Sequence, residues 1–193
     1  MTGESTYEHC IIETHGGGIL HVICSDTEKK EKLISLIGGT QKDGGISVLD
    51  GVDTKEHLKE YKKMVDVIDI EKIDSTLTVK NYIVFYAMVT GIYSDKTIDK
   101  LTELLLQNGM ENVLDMPVNA LSNMEKIKVR CLAAYMKHIS CLVGKGLLDC
   151  LEQMQKDTFY DFLREYFIQN QCMCLLFDNM QCQENEFDKV IKI

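Results

Sequence analysis

The clearest structural signal in the chain lies in the segment Leu121-Ser122-Asn123-Met124-Glu125-Lys126-Ile127-Lys128-Val129. Ser122 followed three residues later by Glu125 is the pattern of a capping box, in which each side chain accepts a hydrogen bond from the backbone N–H of the other residue. Apolar residues then recur at helical spacing at positions 124, 127, 131, 132 and 135, so the sequence predicts a helix over residues 122–137. The unpaired N–H groups and the positive dipole end of such a helix start suit either an N-cap alone or a bound phosphate.

Composition limits the classes of protein to which the chain can belong. Its 193 residues, 22.0 kDa mass and 45% hydrophobic content suit one domain, or one domain with a small inserted subdomain. The 21 Lys and Arg residues against 30 Asp and Glu residues give a net charge of -9, whereas surfaces that bind nucleic acid or anionic membranes are basic. No apolar run approaches the roughly 20 residues of a membrane span, and the N-terminus lacks a basic-then-apolar signal pattern. We therefore expect a cytoplasmic protein that binds no nucleic acid and inserts no segment of its own in a membrane.

The eight cysteines raise the question of a metal site or of disulfides. None of their spacings is Cys-x-x-Cys, and no Cys/His pair repeats at a metal-ligand interval. Cys172 and Cys174 fall two residues apart in an apolar run, which predicts that both lie on one face of a strand. We expect all eight to be reduced, mostly buried thiols, and we predict no metal site.

The order of the predicted elements indicates an α/β protein. Periodicity and the Gly and Asn residues at element ends predict strands 10–12 and 19–23, helix 28–37, strands 46–49 and 64–70, a helical block 77–107 that is broken at Thr90-Gly91, helix 122–137, strand 139–143, helix 153–167, and strands 172–177 and 190–193. The Gly16-Gly17-Gly18 turn predicts that the first two strands form a hairpin. Strands that alternate with helices in the second half indicate right-handed crossovers and a parallel sheet.

The segment at 121–129 resembles the signature loop of ABC-transporter ATPases, usually written LSGGEKQRV or LSGGMKQRV. Further segments resemble the same family in order and spacing: residues 43–51 its PDSGEILVDG strand, residues 77–82 the LTVREN start of its helical subdomain, and residues 187–191 its CDRVIVL strand. Helices 78–91 and 95–108 are most similar to those of the drug and lantibiotic exporter type. The resemblance implies a P-loop NTPase-like ABC cassette formed by residues 1–193 as a single domain. Such a cassette has a parallel sheet core, a small antiparallel N-terminal sheet and a helical subdomain, inserted here at about residues 72–137.

The resemblance also implies where a nucleotide is held in the family, and the chain departs from the family there. The segment that matches the phosphate-binding P-loop, GxxGxGK(S/T), reads Cys24-Ser25-Asp26-Thr27-Glu28-Lys29-Lys30-Glu31, with Lys29 at the position of the P-loop lysine. The glycines are missing and Lys30 replaces the magnesium-binding hydroxyl, while Asp26 and Glu28 place negative charge beside the phosphates. Without the family, Lys29 is interpreted as a solvated residue in the charged first turn of a helix.

The remaining catalytic positions also depart from the family. Counting back from residues 77–79 places Asp69 at the family's glutamine switch, and Gly144-Lys145-Gly146 stands where the family has its magnesium-coordinating Asp and its catalytic Glu. A lysine binds no Mg²⁺ and does not orient a hydrolytic water as a carboxylate does. Phe177-Asp178-Asn179 occupies the neighbourhood of the switch histidine, and we interpret Asp149 as an ordinary loop acid. We therefore expect no hydrolysis of ATP.

Two functions from different classes fit the sequence. The first is a degenerate, non-hydrolytic ATP-binding subunit of an ABC-type transporter, which pairs with an intact cassette in a dimer or docks on a membrane permease at the inner face of the plasma membrane. The second is a soluble interaction or regulatory protein that uses the cassette fold without nucleotide.

In the family the signature loop reaches the nucleotide held by the other subunit, and Met124 stands at a position where a side chain holds the backbone away from the phosphate. The resemblance implies weak nucleotide contacts by Ser122, Asn123 and Glu125, and by Lys29 on the P-loop side. We expect no cofactor, with residual binding of ATP and Mg²⁺ as the alternative.

Overall fold

The fold is built on a five-stranded parallel sheet. The computed structural model describes residues 9–14, 17–41, 45–179 and 189–192. The strands and helices, numbered in chain order, are β1 His9–Ile12, β2 Gly18–Ile23, α1 Thr27–Ile37, β3 Ile46–Leu49, β4 Val52–Asp53, α2 Leu58–Met64, β5 Val65–Asp69, α3 Val79–Thr90, α4 Thr97–Gln107, α5 Asn123–Met136, β6 Cys141–Lys145, α6 Gln153–Tyr166, β7 Met173–Phe177 and β8 Lys189–Lys192. The strand order in the sheet is β5-β6-β7-β2-β8, and every neighbouring pair is parallel.

The register of this sheet places the carboxyl ends of four strands in one row. Asp69 of β5 lies beside Lys145 of β6, Lys145 lies beside Phe177 of β7, and Phe177 lies beside Val22 of β2. Parallel strands are joined by crossover connections, which here contain helices α3 to α5 between β5 and β6, and α6 between β6 and β7. Because the loops that leave these strands start at the same edge, side chains that are distant in sequence converge there.

Alternate residues of the central strands face two separate cores. Leu142 and Cys174 pack with helices α3 to α6 on one face of the sheet, in what we call the lobe-side core. Val143 and Leu175 pack with α1, α2 and the small sheet on the other face. Cys172 also lies in the lobe-side core, so it shares a face with Cys174 as their spacing predicts. The seven cysteines that the structure describes are all free thiols.

A small three-stranded sheet corrects the prediction for the N-terminal region. Strands β3 and β4 are antiparallel, but β1 pairs parallel with β3, so this sheet is mixed rather than wholly antiparallel. The predicted hairpin of residues 10–12 with 19–23 is wrong, because β2 has parallel neighbours, β7 and β8, on both of its sides. The chain passes between the two sheets at Gly17, whose φ of +67° suits glycine and where a Cβ would lie 2.9 Å from the Ile168 carbonyl oxygen.

Three helices, α3, α4 and α5, lie between β5 and β6 in the chain and form what we call the helical lobe. The Thr78 side chain caps the start of α3, and Gly91, with a φ of +76°, ends it, so the predicted break in this helical block is present. Two short elements, β4 and α2, have no counterpart among the predicted elements. Within the described ranges, no helix combines the length and apolar character needed to cross a bilayer.

A largely buried polar cluster fastens the helical lobe to the sheet. Arg130 of α5 donates two hydrogen bonds of 2.8 Å to the Asp66 carboxylate of β5, and the Tyr86 hydroxyl of α3 donates one of 2.6 Å. The Arg130 guanidinium lies 4.3 Å from the centre of the Tyr86 ring, at cation–π distance. Burial alone would lower the pKa of Arg130, but the Asp66 carboxylate outweighs it and raises that pKa. Arg130 is therefore a permanent cation that joins α5 to β5.

Candidate functional site

The row of strand ends carries an ion-pair network centred on Lys145. The Lys145 ammonium lies 2.7 Å from Glu31 Oε1 on α1 and 3.2 Å from Asp69 Oδ2 at the end of β5. The Lys72 ammonium lies 3.2 Å from the same Asp69 oxygen. The side chains of Lys145 and Asp69 are 20% and 7% exposed, so water screens their interaction only weakly. One ammonium group thus joins α1, β5 and β6.

The protonation states of this network follow from its geometry. The hydrogen bond with Glu31 is the main cause that raises the pKa of Lys145 above its usual value. Burial alone would raise the pKa of Asp69, but hydrogen bonds from Lys145 and Lys72 outweigh it and hold that pKa below its usual value. Both shifts favour the charged forms, so Lys145 and Asp69 form an ion pair at neutral pH.

The first turn of α1, which matches the P-loop, is capped by a carboxylate of the chain itself. Asp26 Oδ1 accepts hydrogen bonds from the backbone N–H groups of Glu28, at 3.0 Å, and Lys29, at 3.1 Å. N–H groups at a helix start are the donors that would hold a phosphate. The Lys29 side chain is exposed, whereas Lys30 is buried and donates a 2.6 Å hydrogen bond to Asn179 Oδ1. A negative charge of the protein therefore already occupies these donors.

The start of α5 has the predicted capping box. Ser122 N donates to Glu125 Oε2 at 2.8 Å, and Glu125 N donates to Ser122 Oγ at 3.4 Å. Ser122 and Asn123 are exposed, and Asn123 Nδ2 donates a 3.4 Å hydrogen bond to the Cys150 carbonyl oxygen. Met124 is partly buried against the lobe-side core. In the described part of the chain, no hydrogen bond or ion pair joins Lys29 to these residues, so the four predicted nucleotide contacts lie in two separate places, on α1 and on α5.

The loop after β6, residues 146–150, is anchored by hydrogen bonds of Asp149, Asp178 and Asn179, for which the sequence predicted no function. Asp149 accepts hydrogen bonds from Asn179 N, at 3.0 Å, and Asn179 Nδ2, at 2.9 Å. Asp178 Oδ1 accepts one of 2.8 Å from Leu148 N, and Asp178 Oδ2 lies 3.8 Å from His21 Nε2. The side chains of Asp178 and His21 are fully buried. Two signals in the sequence point to this contact. One is a histidine inside an apolar strand, and the other is an Asp directly after a second apolar strand.

A cleft of about 350 Å³ lies between α1 and the helical lobe. Its walls carry both charge signs, from Glu31, Asp69, Lys72, Arg130 and Lys145, and one aromatic side chain, Tyr82. The Lys145 network thus forms part of the cleft wall. The cleft therefore presents charges of both signs rather than an electrostatic field of one sign.

The residues at this edge of the sheet do not fit the Mg²⁺ and phosphates that the resemblance implies. Mg²⁺ takes oxygen ligands in near-octahedral geometry, but an ammonium, Lys145, stands at the end of β6 and already pairs with Glu31 and Asp69, and Lys72 pairs with Asp69 as well. A phosphate at the start of α1 would have to displace the Asp26 carboxylate from its N–H donors. The arrangement is thus an internally neutralised site.

Comparison with known proteins rests on structure, since no family model and no curated protein matches the sequence. MJ1267 in its ADP conformation, an ATP-binding cassette of an ABC transporter, is similar with a TM-score of 0.73 and 15% identity over 92% of this chain and 76% of that chain. CbiO1 from Clostridium perfringens, part of the ABC transporter complex CbiONQ, gives a TM-score of 0.66 and 15% identity over 85% of this chain and 68% of that chain. An ATP-binding subunit of an ABC transporter gives a TM-score of 0.66 and 18% identity over 85% of this chain and 69% of that chain. The chain therefore has the fold of the ATP-binding cassettes of ABC transporters.

Proposed function

We propose that the chain is a non-hydrolytic cassette subunit of an ABC-type transporter, which acts with an intact cassette and a membrane permease. The observation that carries this proposal is the Lys145 ammonium held between Glu31 and Asp69 at the end of β6. Phosphoryl transfer to water needs a carboxylate-held Mg²⁺ and a group that positions the water. The Lys145 network supplies a fixed cation in their place, which supports a structural rather than a catalytic role.

The outer face of α3 supports docking on a permease. Phe85, Met88 and Val89 are spaced three and four residues apart and are 60%, 57% and 69% exposed, so they form an apolar ridge in solvent. Tyr82, one turn earlier on α3, lines the cleft of mixed charge. An apolar ridge near a polar cleft can bind one amphipathic helix of a partner. We propose that this partner helix lies on the cytoplasmic side of the permease. The ridge lies within residues 72–137, which we propose as the inserted helical subdomain of a single-domain cassette.

The start of α5 supports pairing with an intact cassette. Ser122 and Asn123 are exposed on a helix start whose capping box fixes their backbone, so this polar surface is available to a partner. We propose that Ser122, Asn123 and Glu125 contact the intact cassette near its nucleotide. Lys29 contributes little to this contact, because its backbone N–H is bonded to Asp26.

Three single substitutions test the two surfaces. Asn123→Arg should weaken binding to the intact cassette roughly tenfold, because it projects a long cation into the interface while the Ser122–Glu125 cap is kept. Phe85→Glu should abolish co-purification of the chain with the permease, because it places a charge on the apolar ridge. Met154→Glu, at an exposed apolar position on α6, is the matched control and should change neither interaction. Light scattering measures the first interaction, and co-purification from detergent-solubilised membranes measures the second.

The pattern of results assigns the role. If Asn123→Arg binds the intact cassette as well as the wild type does, while Phe85→Glu loses the permease, pairing through α5 is wrong and permease docking stands alone. If the wild type binds neither partner, the transporter role is wrong and a soluble interaction or regulatory protein with this fold replaces it.

A further inference from the structure

Two titratable side chains face each other in the interior of the protein. His21 lies on β2, the strand that precedes α1, and Asp178 directly follows β7, the neighbouring strand. His21 Nε2 and Asp178 Oδ2 are 3.8 Å apart, and both side chains are 0% exposed. Ionisable groups are rarely buried to this extent unless they interact with each other or with further polar groups.

The charged groups that face this pair come from the loop after β6 and from α6. Burial is the main cause that raises the pKa of Asp178 to about 7; Asp149 raises it further, while the hydrogen bond from Leu148 N and the ammonium of Lys156 act in the opposite direction. Burial is also the main cause that lowers the pKa of His21, with Asp149 opposing it and Lys156 adding to it. Between the lowered pKa of His21 and the pKa of Asp178, the pair therefore holds one proton and carries no net charge.

Asp178 is also an anchor of the loop 146–150. Its Oδ1 accepts the hydrogen bond from Leu148 N at 2.8 Å, and the next residue, Asn179, bonds Asp149. The carbonyl oxygen of Cys150, at the end of this loop, accepts the hydrogen bond from Asn123 at the start of α5. A continuous set of contacts thus connects the buried pair to the exposed end of α5.

We propose that the His21–Asp178 pair is a proton-operated latch for the loop 146–150. When the pair holds one proton, the loop is held in place. As the pH rises to neutral and the pair loses this proton, the loop loosens and the surface at the start of α5 changes with it. The effect on pairing with an intact cassette rests on the proposed function, whereas the latch itself does not.

The direction follows from proton linkage. Asp178 binds its proton more tightly when buried than it would in water, so deprotonation favours any state in which the loop opens and the carboxylate is solvated. His21 acts in the opposite sense, because its lowered pKa means that protonation at acid pH favours opening. Above the ordinary pKa of His21 only the Asp178 effect remains, so the loop loosens as the pH rises toward the raised pKa of Asp178, about 7, and it loosens no further above that value.

Hydrogen exchange of the full chain tests the latch without any partner. Peptides that cover residues 146–150 are followed by mass spectrometry between pH 6 and 8.5, and the rates are corrected for the intrinsic pH dependence of exchange. The corrected rate of the wild type should rise roughly fivefold between pH 6 and pH 7 and should level off above pH 7, once Asp178 has lost its proton in the closed state as well. Asp178→Asn, which keeps an acceptor for Leu148 N but does not titrate, should give a flat profile. Asp161→Asn on the surface of α6 is the control and should retain the wild-type profile.

The exchange profile tests the latch independently of any partner. A flat wild-type profile overturns it, and this result needs no variant, so a failure of Asp178→Asn to fold does not remove the test. A rise that persists in Asp178→Asn also overturns it, because the proton then belongs to another group. A rise in the wild type, together with failure to bind either an intact cassette or a permease, keeps the latch and overturns the proposed function instead.

Discussion

Replacing Arg130 by Met is expected to lower the free energy of unfolding by about 3–5 kcal/mol, the typical loss when one member of a buried ion pair is removed. The Asp66 carboxylate would keep its hydrogen bond from Tyr86 but lose both hydrogen bonds from the guanidinium. Its side chain is only 11% exposed, so water cannot replace the lost cation fully. Because Arg130 joins the helical lobe to the sheet, the loss should appear in the cooperative unfolding of the whole domain, measured by urea denaturation.

Two further variants make this result specific. Adding Asp66→Leu to Arg130→Met should recover stability relative to the single variant, because no buried charge then remains. Arg164→Met removes an arginine from an ion pair on the surface of α6 and should change stability by less than about 1 kcal/mol. If Arg130→Met costs no more than Arg164→Met, the helical lobe is not fastened to β5 by this pair.

Replacing Lys145 by Glu is expected to cost about 2–4 kcal/mol of stability and to create a site for divalent cations. The change removes the cation that bonds Glu31 and Asp69 and places a third carboxylate beside them. Three converging carboxylates are the ligand type that Mn²⁺ and Ca²⁺ bind. Mn²⁺ at about 100 times its dissociation constant should restore about 2.7 kcal/mol. Thermal unfolding with Mn²⁺ and with EDTA measures both effects.

Lys145→Met is the matched control, because it removes the ammonium without adding a ligand. This variant should be destabilised and should respond to Mn²⁺ much less than Lys145→Glu does. If Lys145→Glu is as stable as the wild type in EDTA and unchanged by Mn²⁺, the Lys145 ammonium does not hold this edge of the sheet together.

Most helices and strands could be predicted because their signals are local. The Ser122–Glu125 box fixes the start of α5, and Gly91 fixes the end of α3, through contacts within a few residues. The pairing of β1 was predicted wrongly because pairing depends on which sheet edge is open, and β2 has neighbours on both sides. No local pattern in the sequence indicates which strand edges already have a neighbour.

The candidate site was only partly predictable for a related reason. The resemblance indicates that Lys145 and Asp69 depart from the family, but their ion pair arises from the β5–β6 register, which places them side by side across a separation of 76 residues. The use of Asp26 as a cap for α1 replaces the expected glycine turn with a local hydrogen bond. The His21–Asp178 contact depends on the pairing of β2 with β7 and leaves only a lone histidine and an Asp in the sequence.

Phosphate release from Mg-ATP by the isolated chain tests the non-hydrolytic assignment most directly. We expect a rate equal to that of a buffer blank, because Lys145 stands where a catalytic carboxylate is needed and Asp26 occupies the N–H donors at the start of α1. Release that survives Lys29→Ala would come from a contaminating ATPase and would leave the assignment in place. Steady release that disappears in Lys29→Ala would contradict it and would show that the chain is an active ATPase.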